Sequence, residues 1–163
     1  MLAMFKQQDN IRIYNLFKAI TKGLNQAGIR PITYGSLGLY LLIGERGDVS
    51  DIDLLISSPN DFDICKDVAV EHGFSVDLDH DRELGGNNTF ISFLELNKIE
   101  KLIGTNIQLQ LVKVDEIEYY NLSPEAYLDI YKAGLKNKYR KEKKEADDLV
   151  KIEQIKTYIR AHG

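Results

Sequence analysis

Asp51 and Asp53 are the residues in this sequence best suited to chemistry. They stand two apart in Asp51-Ile52-Asp53-Leu54-Leu55-Ile56, and residues two apart on a strand project to the same side. Two adjacent carboxylates repel each other unless a cation lies between them or one of them keeps a proton. Hard divalent cations such as Mg²⁺, or Mn²⁺ in its place, favour carboxylate oxygens and keep waters and substrate phosphates as their other ligands. Upstream, Gly35-Ser36 offers a turn suited to such phosphates. Glycine lets the backbone approach phosphate oxygens closely. The serine hydroxyl and the exposed turn N–H groups can donate to those oxygens, more so where they open a helix. Asp-x-Asp by itself often does no more than end a strand, and Gly-Ser by itself says less. Their conjunction is what points to a metal–triphosphate site.

Several elements must position that conjunction. Ile13, Leu16, Phe17, Ile20 and Leu24 recur at helical spacing, which predicts a helix over Ile11 to Gln26, capped by Gly28 and followed by Pro31. Pro31 to Tyr34 reads as a first strand running into Gly35-Ser36. The apolar stretch Leu37 to Ile43 suits a short buried helix or a strand, and the helix fits better if Gly35-Ser36 is a turn that opens it. Glu45-Arg46-Gly47-Asp48 is a loop, and Asp51 to Ile56 is a largely buried central strand. Phe62, Cys65, Val68, Ala69 and His72 then give another helix, stopped by Gly73.

Strands follow, over Phe74 to Leu78, Thr89 to Leu96 and Thr105 to Val114. Gly85-Gly86-Asn87-Asn88 reads as the turn before the second of them. Ser123-Pro124 starts a C-terminal helical part, with Tyr127, Ile130 and Tyr131 facing inward. The last helix carries Leu149, Ile152, Ile155 and Ile159 on one stripe. The order predicts an α/β (α+β) fold: a mixed β-sheet flanked by helices, one domain over residues 1–163, helical from about residue 123.

The segment from Tyr34 to Ile56 resembles the signature of the nucleotidyltransferase superfamily, which includes DNA polymerase β and the antibiotic nucleotidyltransferases. Tyr34-Gly35-Ser36, a long spacer, and Asp51-Ile52-Asp53-Leu54 carry the likeness. Element order extends it over most of the chain. The Gly73-Phe74 turn, the Ile107-Gln108-Leu109-Gln110 strand and the Arg140, Lys144, Asp148 helix look like the small lincosamide-type and abortive-infection-type branches. The resemblance implies that Asp51 and Asp53 bind Mg²⁺ and that Gly35 and Ser36 hold the phosphates of a nucleoside triphosphate. It also implies a third carboxylate on a later strand. There the sequence departs, because the strand that looks equivalent offers Gln108 and Gln110. A glutamine amide is no general base near pH 7. Glu95 is the first substitute, with Asp77 and Asp79 behind it. The latter two also read simply as polar positions on an exposed strand face.

The remaining features are plainer. His72, His80 and His162 lack metal-ligand spacing. Lys136 to Lys144 form a basic stretch. It is either a solvated helix face, paired through Glu142 and Glu145, or a clamp for triphosphate or RNA in which Lys144 would take part. Net charge is −4, so bulk binding of polyanions is not expected. The single cysteine, Cys65, suits core packing and a reducing cytoplasm. The N-terminus lacks signal-peptide features, and no apolar run reaches the ~20 residues a membrane span needs. The expected function is Mg²⁺-dependent transfer of a nucleoside monophosphate from a nucleoside triphosphate to a hydroxyl. The acceptor is open among small molecules, RNA and protein, and so is homo-oligomerisation. The alternative is a non-catalytic module of the same fold that binds nucleotide, RNA or protein, as in a toxin–antitoxin or phage-defence pair.

Overall fold

Short apolar strands alternate with amphipathic helices, and they assemble into one layered sheet. The computed structural model describes residues 2–44, 49–76, 82–136 and 138–162, apart from the side chains of residues 2–7 and 138–144. In chain order the elements are α1 (Leu2–Gln26), β1 (Ile32–Thr33), α2 (Gly35–Ile43), β2 (Ile52–Ile56), α3 (Phe62–Glu71), β3 (Ser75–Val76) and β4 (Glu83–Gly86). There follow β5 (Thr89–Glu95), α4 (Leu96–Ile103), β6 (Leu109–Val114), β7 (Ile117–Leu122), α5 (Pro124–Leu135) and α6 (Lys138–His162). Among the described residues a seven-stranded sheet runs in the order β3-β4-β5-β2-β1-β7-β6. β2 is parallel to β5 and antiparallel to β1, and β1 is parallel to β7, so the sheet is mixed. The α/β class expected from element order is the class observed.

Alternation along β2 divides the core in two. Ile52, Leu54 and Ile56 pack with Ile13, Phe17 and Ile20 of α1 and with Cys65, Val68 and Ala69 of α3. Leu55 turns the other way, into Ile32, Leu122, Tyr127, Tyr131, Ile152 and Ile155 beneath α5 and α6. Leu54 and Leu55 are both fully buried, and each such side chain contributes roughly 1.5–3 kcal/mol. The second cluster covers Leu55 and its neighbour Leu94. Asp53 stands one pleat earlier on the same face, and the candidate site lies around it.

Local signals in the sequence hold at the start of α5. Ser123 Oγ accepts from Ala126 N at 3.2 Å, and Pro124 takes the first helical position. Other expectations change. α1 begins at Leu2, well before Ile11. Gly85-Gly86 belongs to strand β4, and the turn is Asn87-Asn88, both at positive φ (55° and 56°), a two-residue hairpin geometry. Gly86 pairs with Thr89 in that strand, and a β-carbon there would collide with Gly73 O, so the position requires glycine. Leu96 opens α4 instead of ending β5; the alternation Leu94-Glu95-Leu96 hid the change of period. The strand expected from Thr105 is formed only from Leu109 and is followed by β7, which the sequence reading lacked. Leu149 is 47% exposed, off the buried stripe of Ile152 and Ile155. The loop 45–48 and residues 77–81 lie outside the described residues. No helix among the described residues is long and apolar enough to cross a membrane.

Candidate functional site: a carboxylate pair under a glycine turn

Asp53 lies in β2 beside the point where β1 hands the chain to α2. Tyr34 N donates to Asp53 O at 3.3 Å, which continues the β1–β2 pairing of Thr33 with Leu54. The chain then turns at Gly35, whose φ of +67° is a conformation that residues with a β-carbon rarely adopt. The turn also presses on the acid. A β-carbon at Gly35 would stand 2.6 Å from Asp53 Oδ2 and 3.2 Å from its Cβ. Gly35 and Ser36 form the first turn of α2, and Tyr34 at the cap makes no side-chain capping bond. The leading N–H groups of a helix have no intrahelical partner and favour negative charge, and here they open beside a carboxylate.

A buried polar lock fixes α2 in that position. Tyr127 Oη donates to Asn121 Oδ1, whose amide in turn donates to Gly38 O at 3.0 Å. Tyr127 and Asn121 are both buried. Gly38 is pressed so closely on this pair that a β-carbon there would collide with Tyr127 Oη. The spacing Gly35-x-x-Gly38 thus has two separate causes, one at the acid and one at the helix floor.

The strand next to β2 supplies further polar groups. Asp53 is opposite Ser92 of β5, and Ser92 is opposite Glu83 of β4. Residues level with each other across a sheet share a face, so Asp53, Ser92 and Glu83 form one row. Ser92 Oγ donates to Asp53 Oδ1 at 2.9 Å. The Tyr34 hydroxyl is also hydrogen-bonded to Ser92, and burial beside Asp53 raises its pKa. Burial raises the pKa of Asp53 above its ordinary carboxylate value. The Ser92 hydrogen bond opposes that shift, the charges of Asp51 and Glu83 add to it, and Lys151 of α6 subtracts from it. Asp53 therefore gives up its proton less readily than an ordinary carboxylate, a shift that a bound cation would oppose.

Of the residues singled out in the sequence, Gly35, Asp51 and Asp53 converge, with Ser36 following Gly35 in the same helical turn. Glu95 does not join them. It is opposite Ile56, on the other face, and pairs with Arg82 at 2.6 Å, whose guanidinium lies over the Phe62 ring. Gln108 precedes β6 and Gln110 lies within it, at the far edge of the sheet, so neither occupies the position of a third acid. The Lys144 side chain and Asp77 and Asp79 lie outside the described residues. Sequence reasoning missed Glu83, Ser92, Tyr34 and Lys151. Tyr34 adjoins the glycine turn and was within reach, whereas the others depend on strand register and helix docking. A polar cavity of about 770 Å³, lined by Asn25, Arg30, Ser57, Asp61, Glu118 and Tyr120 among others, opens at the opposite end of β2 and does not include the aspartates.

The donor set fits a divalent cation in one respect. Asp53, with its raised pKa and with Asp51 two residues before it, lies beside an uncapped helix N-terminus, and a cation with phosphate ligands needs only one or two protein carboxylates. Among the described residues no group of three or more His, Cys, Asp and Glu side chains is clustered closely enough to hold an ion. No protein-family model matches the chain. It is 33% identical over 156 residues to the uncharacterized protein YnaI of Bacillus subtilis (strain 168), an alignment that spans 92% of this chain and 99% of YnaI. Likeness at that level over nearly the full length of both chains makes this protein a member of the YnaI family.

Proposed function

We propose that the protein is a nucleotidyltransferase that moves a nucleoside monophosphate from a nucleoside triphosphate to a hydroxyl. The observation that carries this reading is the contact between the Gly35 turn and Asp53, 2.6 Å from a would-be β-carbon to Oδ2. It sets helix-opening N–H groups, suited to phosphate, beside an acid suited to a metal ion. Asp51 and Asp53 would hold Mg²⁺ or Mn²⁺. Bound there, the cation would offset the triphosphate charge and align the in-line displacement. The N–H groups of Gly35 and Ser36 would receive the phosphates. Ser92 orients the Asp53 carboxylate through its hydrogen bond, and Tyr34 in turn is hydrogen-bonded to Ser92. The acceptor oxygen bonds to the α-phosphorus, the bond from that phosphorus to the bridging oxygen breaks, and pyrophosphate leaves. Glu83, in the same row as Asp53, is the acid we assign to take the acceptor proton.

The test is transfer of label from each α-labelled nucleoside triphosphate, with Mg²⁺ or Mn²⁺, to pooled small molecules, tRNA and proteins. Label should move to one acceptor class, and both Asp51→Asn and Asp53→Asn should abolish the transfer. Nucleotide binding that is unchanged in both variants would end the reading. A second reading, a nucleotide-binding module without turnover, draws support from the lack of a three-ligand acidic cluster among the described residues. It predicts Mg²⁺-dependent nucleotide binding that Asp53→Asn weakens, with no label transferred to any acceptor.

A further inference from the structure

Phe90 is 48% exposed in a strand whose alternate residues, Thr89, Ile91 and Phe93, are buried. Isolated exposed apolar residues are common on protein surfaces, so exposure alone means little. Its surroundings mean more. Ile91 is opposite Ile52, and Thr89 Oγ1 donates to Ser50 O, so the register continues past the end of β2 and sets Phe90 beside Asp51. Phe90 and Ser92 share a face, which is the face of Asp53. On its other side Phe90 is opposite Gly85, where a β-carbon would stand 3.3 Å from Phe90 Cε1 and 3.6 Å from Cδ1. The ring leans across a stretch of strand that has no side chain, with the rest of it open to solvent.

The Gly35 turn, the Asp51–Asp53 pair and Phe90 therefore follow one another across β1, β2 and β5. Two strand spacings separate the first from the last, on the order of 10 Å. A nucleoside triphosphate laid across the sheet reaches over that distance from its phosphates to its base. We propose that the Phe90 ring stacks on the base of the nucleotide whose phosphates the Gly35-Ser36 turn receives. This rests on the functional reading given above and adds to it the seat of the base. A phenyl ring recognises the π-face that every base shares, so the proposal carries little base selectivity, with purines ahead through their larger stacking area.

Calorimetry with Mg²⁺ separates this proposal from the reading it rests on. The ligands are ATP and inorganic tripolyphosphate, and the proteins are wild type, Phe90→Ala, Phe90→Trp and Asp53→Asn. ATP should bind wild type more tightly than tripolyphosphate does. Phe90→Ala should weaken ATP by roughly 5- to 150-fold, the range reported by alanine substitution for base–aromatic stacking, and leave tripolyphosphate unchanged. Phe90→Trp should retain ATP affinity, and its indole, the sole one in the chain, should be quenched by ATP and not by tripolyphosphate. Binding of ATP that Asp53→Asn weakens but Phe90→Ala leaves unchanged overturns the base platform alone. Failure of wild type to bind either ligand overturns the functional reading, and the platform with it.

Discussion

Gly35 and Asp53 interlock: the turn that starts α2 fits against the acid only because Gly35 lacks a β-carbon, which would otherwise stand 2.6 Å from Asp53 Oδ2. The neighbouring groups then hold the acid in place. Ser92 engages its other oxygen at 2.9 Å. One carboxylate is thus fixed by a helix start on one side and by a parallel strand on the other.

Gly35→Ala should be damaging in two measurable ways. A left-handed backbone costs a residue with a β-carbon about 1–2 kcal/mol, read as a lower midpoint in urea unfolding. The displaced carboxylate should also weaken Mg²⁺–nucleotide binding by more than the stability loss accounts for. A variant that keeps full binding would show that the Gly35–Asp53 contact plays no part in the site.

Asp53→Asn should stabilise the protein without ligand, or leave its stability unchanged. The folded pKa of Asp53 is raised, chiefly by burial. Between its ordinary value and that raised one, the folded state holds more protons than the unfolded state, so stability falls as pH rises through the window. The asparagine removes this fall while keeping an oxygen to accept from Ser92. Thermal unfolding against pH should therefore be flatter in the variant, beginning just above pH 3.8, the ordinary value for aspartate. Because binding a cation displaces that proton, wild-type Mg²⁺ affinity should rise over the same window.

Glu83→Gln and Glu95→Gln should separate chemistry from packing. The first should lower turnover by about 10²–10⁴-fold, the usual contribution of a well-placed base, with nucleotide binding nearly intact. The second loosens the partly buried Arg82–Glu95 pair. It should cost roughly 1–3 kcal/mol of stability and leave turnover per folded molecule unchanged. The opposite pattern would return Glu95 to the site.

Gly38→Ala should be more damaging than Tyr127→Phe. The added methyl collides with Tyr127 Oη in a buried network, and overpacking of this kind costs about 1–3 kcal/mol. The phenylalanine removes that oxygen and leaves Asn121 Oδ1 with its bond from Leu122 N. Combining the two substitutions should recover part of the stability lost in Gly38→Ala, as measured by thermal unfolding.

What the amino-acid sequence determined by itself was local. Ser123-Pro124 announced the start of α5 because a cap and a first-turn proline act within one helical turn. The α1 stripe of Ile13, Phe17, Ile20 and Leu24 was readable because helical spacing alone decides which residues share a face. The alternation of Asp51 and Asp53 around Ile52 was legible for the same reason on a strand. Gly85-Gly86 misled because glycine is a turn former by local preference, whereas pairing with Phe90 and Thr89 holds both residues in a strand, and Gly73 O leaves no room for a β-carbon at Gly86. Strand order and register were decided only by the tertiary structure. β5, not the strand containing Gln110, came to lie beside β2, and it carried Ser92 to Asp53 and turned Glu95 to the opposite face. β4 then brought Glu83 into the same row. Such pairings join residues far apart in the chain through burial shared among many side chains, and no local window of sequence contains that information.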